Sequence, residues 1–182
     1  MATPYGHALV GLSLLHLWFP QTGPSPKKTY ILYGLAVLGA WAPDLDFIPG
    51  LFLGNPGRFH HGPFHSLSLA IGSALFIGLL IRFFSKIQSS IKIGSLVFAL
   101  VFSHLLLDFF TEDPMPPFGF PLFWPAAQTP FLSPLSIFPY VLRHPEHHEF
   151  WSHSFLSLAV ESFILLPLLV LSWRKKELGR KS

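Results

Sequence analysis

No cysteine occurs anywhere in this chain. That excludes disulfides, thiolate metal ligands and a thiol nucleophile. Charge is scarce as well. Asp, Glu, Lys and Arg together make up 12% of the residues, against about a quarter in an ordinary soluble domain. No G-x-S-x-G elbow is present, so a serine-type covalent nucleophile is not signalled. The net charge of +3 is too clustered beside apolar runs to suggest nucleic acid, and it reads as membrane orientation instead. Aspartate is rare too, with only four in 182 residues.

What the chain does have is apolar length. Half of it is hydrophobic and its mean hydropathy is +0.50. Five apolar segments stand out: Gly6–Phe19, Tyr30–Ala42, Ser66–Phe84, Ile91–Phe110 and Phe150–Trp173. The last three are long enough to cross a bilayer as helices. The first two are shorter, fitting tilted or partial spans. The start, MATPYGHALV, lacks a charged leader region and an obvious cleavage site, so the first segment is expected to be retained. One all-α domain over residues 1–182 is expected, an integral membrane bundle of about five helices. Residues 111–149 carry nine prolines among many aromatics. They read as a folded cap on the membrane interface rather than as a helix.

If all five segments span, ten of the twelve Lys and Arg residues fall on one side, with Arg58 and Arg143 the exceptions. The positive-inside rule makes that side cytoplasmic and places the N-terminus outside and the C-terminus inside. The same threading puts nine of the ten histidines at the other ends of the segments, His16 being the exception. Asp44, Asp46 and Asp108 fall there too.

Three motifs carry the chemistry. In SHLLLDFF, His104 and Asp108 are four apart and share a helix face, so they offer one cation a nitrogen and an oxygen, or simply hydrogen-bond to each other. In WAPDLDFIPG, Asp44 and Asp46 follow an apolar run and are flanked by Pro43 and Pro49, which are expected to break the helix. Such a pair can aim two carboxylates at a cation or merely end a helix in solvent. In FHHGPFHS, Gly62 and Pro63 let a loop fold His60, His61 and His65 towards one point, and His7 joins them by topology. His65-Ser-Leu-Ser-Leu-Ala echoes His153-Ser-Phe-Leu-Ser-Leu-Ala, which makes His153 a further candidate ligand. His144, His147 and His148 read as surface or outlying residues. Glu161 lies inside the last segment, about two helical turns beyond His153, and His16 is a candidate neighbour for it.

GHALVGLSLL, APDLD, HHGPFHS, SHLLLDFFT and PLFWP occur in the order seen in the YdjM-like family of inner-membrane-associated metal-dependent hydrolases. The chain resembles that family from about residue 6 to 125. The resemblance implies metal ligation by His7, Asp44, Asp46, His60, His65, His104 and Asp108. It departs from the family pattern at His61, where arginine is usual, and at Phe64, where threonine is frequent. More distantly, the helical His/Asp arrangement is similar to zinc-dependent phospholipase C.

A nitrogen and oxygen donor set points first to zinc, two or three ions, with manganese and iron open. The expected activity is metal-dependent hydrolysis of a phosphoester or ester of an amphiphilic or lipid-linked substrate at the non-cytoplasmic face of the inner membrane. An uncoordinated Asp44 or Asp46 would orient or deprotonate the attacking water. The alternatives are a metal-stabilised structural or sensory protein and a metal or proton transporter. Substrate and oligomeric state are not legible in the residues.

Overall fold

The structure is a computed structural model, and it describes residues 1–20, 26–84, 90–114, 118–142 and 146–181. The sequence expectations for Lys86, Arg143 and His144 lie outside the described residues. The architecture is all-helical, with no strand among the described residues beyond two isolated bridges, Thr111 to Phe138 and Phe120 to Phe131. Helix α1 spans Pro4–Trp18, α2 Pro26–Trp41, α3 Phe47–Phe52, α4 Leu67–Phe84, α5 Ser90–Phe109 and α6 Phe150–Lys181. Short 3-10 turns cover Ala42–Asp46 and Pro56–Phe59.

Four stretches are long and apolar enough to cross a membrane: Lys27–Phe52, Leu67–Phe84, Ser90–Phe109 and Phe150–Lys175. The second segment is thus longer than its apolar run suggests. Pro43 does not stop the chain but sits at the start of a 3-10 turn, where a missing N–H costs least. Pro49 falls in the first turn of α3 for the same reason. Helix α1, at 15 residues, remains the short one. Phe76, Phe83 and Phe163 are 65%, 78% and 84% exposed. That much bare aromatic surface on long apolar helices suits acyl chains, not water.

Helix α1 is the hub, packed against α2, α5 and α6, while α4 pairs with α5. Thr3 caps α1 by accepting the Gly6 N–H at 3.1 Å, and Pro4 occupies the first turn. Small residues let the helices close. A Cβ at Gly11 would lie 2.9 Å from the Ala40 Cβ and 3.0 Å from the Ala36 carbonyl oxygen. Gly11→Leu is therefore expected to lower stability by about 1–3 kcal/mol through overpacking, read as an earlier thermal transition in detergent.

The helix ends sort as the charges do. At one end, Trp41 Nε1 donates to the Pro4 carbonyl and the Ala2 N–H donates to Asp108 Oδ1. At the other, Trp18 Nε1 donates to Ser95 Oγ, and Lys92 lies 4.7 Å over the Phe19 ring. The Pro- and Phe-rich segment after α5 covers the first end. The Leu67 N–H donates to the Leu122 carbonyl, the Ile137 and Phe138 N–H groups reach the Phe110 carbonyl, and Phe120 and Phe131 exchange backbone hydrogen bonds.

Candidate metal centre

Each piece of local structure delivers a side chain to the covered end. The 3-10 turn after α2 has three residues per turn, so Asp44 and Asp46 diverge by about a third of a turn and reach different neighbours. In the loop before α4, the Gly62 N–H bonds back to the Phe59 carbonyl and the His65 N–H to the Gly62 carbonyl. Ser66 ends that loop as the cap of α4, its Oγ accepting the Leu69 N–H at 3.3 Å. His104 and Asp108 come from successive turns of α5, and His7 comes from the first turns of α1.

These side chains meet. His65 Nε2 lies 3.7 Å from Asp44 Oδ1, 3.5 Å from Asp108 Oδ2 and 3.3 Å from His104 Nε2. His104 Nε2 lies 3.5 Å from Asp44 Oδ1 and 3.1 Å from Asp108 Oδ2. Two ligands at about 2.0–2.1 Å from a tetrahedral ion are about 3.3 Å apart. Five of the six edges of this quartet, from 3.1 to 3.7 Å, therefore have the length that such a shell requires. Asp44, Asp46 and His60 form a second group, with His60 Nδ1 3.1 Å from Asp46 Oδ1 and 3.9 Å from Asp44 Oδ1. Asp44 belongs to both groups.

Hydrogen bonding alone does not satisfy this cluster. Asp44 Oδ1, Asp46 Oδ2, Asp108 Oδ2, His60 Nε2, His65 Nδ1 and both nitrogens of His7 are buried without a hydrogen-bond partner. Buried polar atoms are rarely left so. His104 is oriented from behind, its Nδ1 2.7 Å from the Ala40 carbonyl oxygen. Only an N–H can face a carbonyl, so the Nε2 lone pair is turned into the quartet, as in a metal-ligating imidazole. Asp108 is pinned in the same way, since the Ala2 N–H holds Oδ1 at 2.8 Å and leaves Oδ2 facing His65 and His104. His7 stacks on His104 with centroids 3.8 Å apart and places Nε2 3.4 Å from Asp108 Oδ1.

The electrostatics point the same way. Three carboxylates converge, and their ion-pair partners among the described residues are all imidazoles. Burial pushes His60 below its ordinary range despite the Asp46 carboxylate, leaving it neutral with a lone pair to give. Burial also acts to lower His65, yet the facing Asp108, Asp44 and Asp46 oxygens prevail and hold it well above the usual imidazole range. A cation on this cluster would meet the demand that a proton on His65 now meets.

The structure thus brings together His7, Asp44, Asp46, His60, His65, His104 and Asp108. It does not bring His153 to them. That residue lies inside the first turn of α6 rather than before it as His65 precedes α4, and its Nε2 donates to the Tyr140 carbonyl at 2.8 Å. The short echo between the two stretches therefore does not extend to equivalent placement. Glu161 finds Thr3, not His16. It accepts the Thr3 N–H at 2.7 Å and is hydrogen-bonded by the Thr3 hydroxyl. His16 lies at the other end, against Ser172 and Tyr33. His147 and His148 stack on one another, and the His148 side chain is exposed. Sequence reasoning missed the Ala40 carbonyl and the Ala2 N–H, because a backbone group leaves no trace in residue identity.

A bundle of apolar spans with buried His and Asp groups that could hold a metal ion defines an α-helical membrane protein with a candidate metal centre. The chain belongs to the YdjM inner membrane protein family, whose model matches residues 1–141. All seven gathered residues lie within that match, whereas His153 and Glu161 lie beyond it. No curated protein and no solved structure matches the chain.

Proposed function

We propose that the protein is a metal-dependent hydrolase acting on an ester or phosphoester of an amphiphilic substrate at the non-cytoplasmic face of the inner membrane. The observation that carries this reading is the shell-like spacing of Asp44, His65, His104 and Asp108, with Asp44 Oδ1 and Asp108 Oδ2 buried and without a hydrogen-bond partner. A bound divalent cation would supply a water made acidic near neutral pH and polarise the scissile oxygen. Nitrogen and oxygen donors favour zinc, with manganese and iron next.

The chain's own residues divide the remaining work. Asp46 is 3% exposed, and its Oδ1, hydrogen-bonded to His60 Nδ1 at 3.1 Å, orients that ring, while its other oxygen faces His65 Nδ1 at 3.0 Å. Asp44 is different. Its side chain is 16% exposed, whereas those of His65, His104 and Asp108 are fully buried. Water and substrate would approach by way of Asp44, whose Oδ1 faces the quartet and whose other oxygen would accept a proton from the attacking water. Four protein donors on one tetrahedral ion would close it, so catalysis requires water to reach the cluster on the partly exposed Asp44 side, which a structural site would not need. A transporter would instead place its ligands near mid-bilayer between broken helices.

Location supports the substrate class. A groove of about 450 Å³ follows α4 past Ser68, Leu69 and Phe76, under Trp124, to Pro63 and Phe64 of the histidine loop. An acyl chain lying there would bring its headgroup to the histidine loop. The basic residues at the far helix ends make that end cytoplasmic by the positive-inside rule, which puts the centre outside.

The test is hydrolysis by the purified full chain of phosphodiesters and carboxylic esters, each with short and long acyl chains. Activity should disappear on chelation, return with Zn2+, and favour long-chain substrates. Stoichiometric metal with no hydrolysis of any class would overturn the enzymatic reading.

A further inference from the structure

His61 is held in a way that packing alone does not explain. Its backbone lies at φ 60°, a left-handed conformation uncommon for residues with a Cβ, though histidine and asparagine take it more often than most and glycine most readily. The turn that follows leaves no alternative path, because a Cβ at Gly62 would stand 2.7 Å from the Phe59 carbonyl oxygen. This backbone turns the His61 ring inward. The residue is 8% exposed, its ring 4.2 Å from that of His60 and 5.1 Å from that of His65. Nothing receives its Nε2, which is buried without a hydrogen-bond partner, and His60 Nε2 beside it is in the same condition.

The other nitrogen has an orienting group. His61 Nδ1 lies 3.6 Å from Asp113 Oδ2, and that oxygen is itself fixed by the Gly119 N–H at 2.6 Å. Gly119 in turn sits at φ +70°, where a Cβ would meet the Phe131 carbonyl oxygen at 2.2 Å. The cap is thus built to hold Asp113 behind His61. A carboxylate behind one ring nitrogen with the other nitrogen bare is the arrangement that metal-ligating histidines use.

We infer that His60, His61 and His65 form an additional cation position made of three imidazoles, with Asp113 setting the tautomer of His61. Their donor atoms lie within 4.8 Å of one another. His65 already turns Nε2 to the quartet, so filling both positions at once requires the ring to give up its remaining N–H proton to solvent and bridge the two ions as an imidazolate. Three ring-nitrogen donors select Zn2+ or Cu2+ over Mg2+ and Ca2+. The position rests on the same metal centre as the proposed function but not on hydrolysis.

The test counts metal on the chelator-stripped full chain in detergent, dialysed against Zn2+. The native protein should hold one Zn2+ more per chain than His61→Gly. Asp113→Asn should weaken the last ion alone, by roughly 10–100-fold. Metal-free His61→Gly should melt no lower than the native protein, since glycine relieves the backbone. A ring that served packing would lower it instead. His61→Asn, which also tolerates the left-handed backbone, carries the same comparison if His61→Gly does not fold. An equal Zn2+ count in native protein and variant overturns the additional position and leaves the quartet standing. A native protein that takes up no Zn2+ overturns both.

Discussion

Asp44→Asn is expected to abolish tight divalent-metal binding at both Asp44-containing groups at once, rather than at one of them alone. The reason is that Asp44 Oδ1 belongs both to the quartet with His65, His104 and Asp108 and to the group with Asp46 and His60. An asparagine has the same shape but no charge, and its amide nitrogen can only donate. Loss of an outer hydrogen-bond partner costs roughly 10–100-fold in metal affinity, and loss of a shared ligand should exceed that. Folding of the metal-free chain should be spared. Three carboxylates repel one another when no cation separates them, and Asp44 is the least buried of the three. Metal content by mass spectrometry, beside a thermal melt in chelator, checks both parts. His16→Ala is the matched control. Its ring contacts Ser172, Tyr33 and Trp173 at the other end, so it should leave metal content unchanged. Full metal loading in Asp44→Asn would mean that the two groups are not joined through this carboxylate.

The sequence exposes the ends of this bundle better than its interior. Nine histidines and three of the four aspartates segregate from the basic clusters, and that bias alone predicts that His7, Asp44, His65, His104 and Asp108 share an end. Apolar length fixes α4 to within a residue and α5 to a shift of one. The second span is longer than expected because, although α2 does end at Trp41 before Pro43, a 3-10 turn accepts proline at its start and leads the chain on into α3. His153 is overrated because a repeated sextet says nothing about whether a histidine precedes a helix or lies within it. Ala40 shows the deeper limit. Its side chain is apolar and unremarkable, yet its carbonyl decides which nitrogen His104 offers. Depth is also hidden. Glu161 lies eleven residues into α6, about three turns, and still meets the start of α1, because α1 is short and begins below the top of α6.

That meeting makes Glu161→Ala the second large effect. Glu161 is fully buried, and its carboxylate takes the place of solvent at the N-terminus of α1, where backbone N–H groups would otherwise lack partners. It accepts the Thr3 N–H and the Thr3 hydroxyl, while Thr3 Oγ1 accepts from Gly6, so one side chain of α6 organises the whole first turn. A negative group at a helix N-terminus is favoured by the helix dipole as well. Truncation to alanine leaves a buried N–H unsatisfied, at a cost of about 1–3 kcal/mol. It also opens space where Gly6 now touches the carboxylate, since a Cβ at Gly6 would come within 2.8 Å of it. The damage should reach the metal centre, because Ala2 fixes Asp108 and His7 lies one turn after Thr3. Glu161→Ala should therefore lower both the thermal transition and the metal affinity. Glu161→Gln keeps an acceptor for the Thr3 N–H and should fall between native and alanine in both readings. A variant that melts early but binds metal as the native protein does would confine Glu161 to holding α1 against α6. Parallel losses, restored together by glutamine, would tie the start of α1 to the grip on the cation.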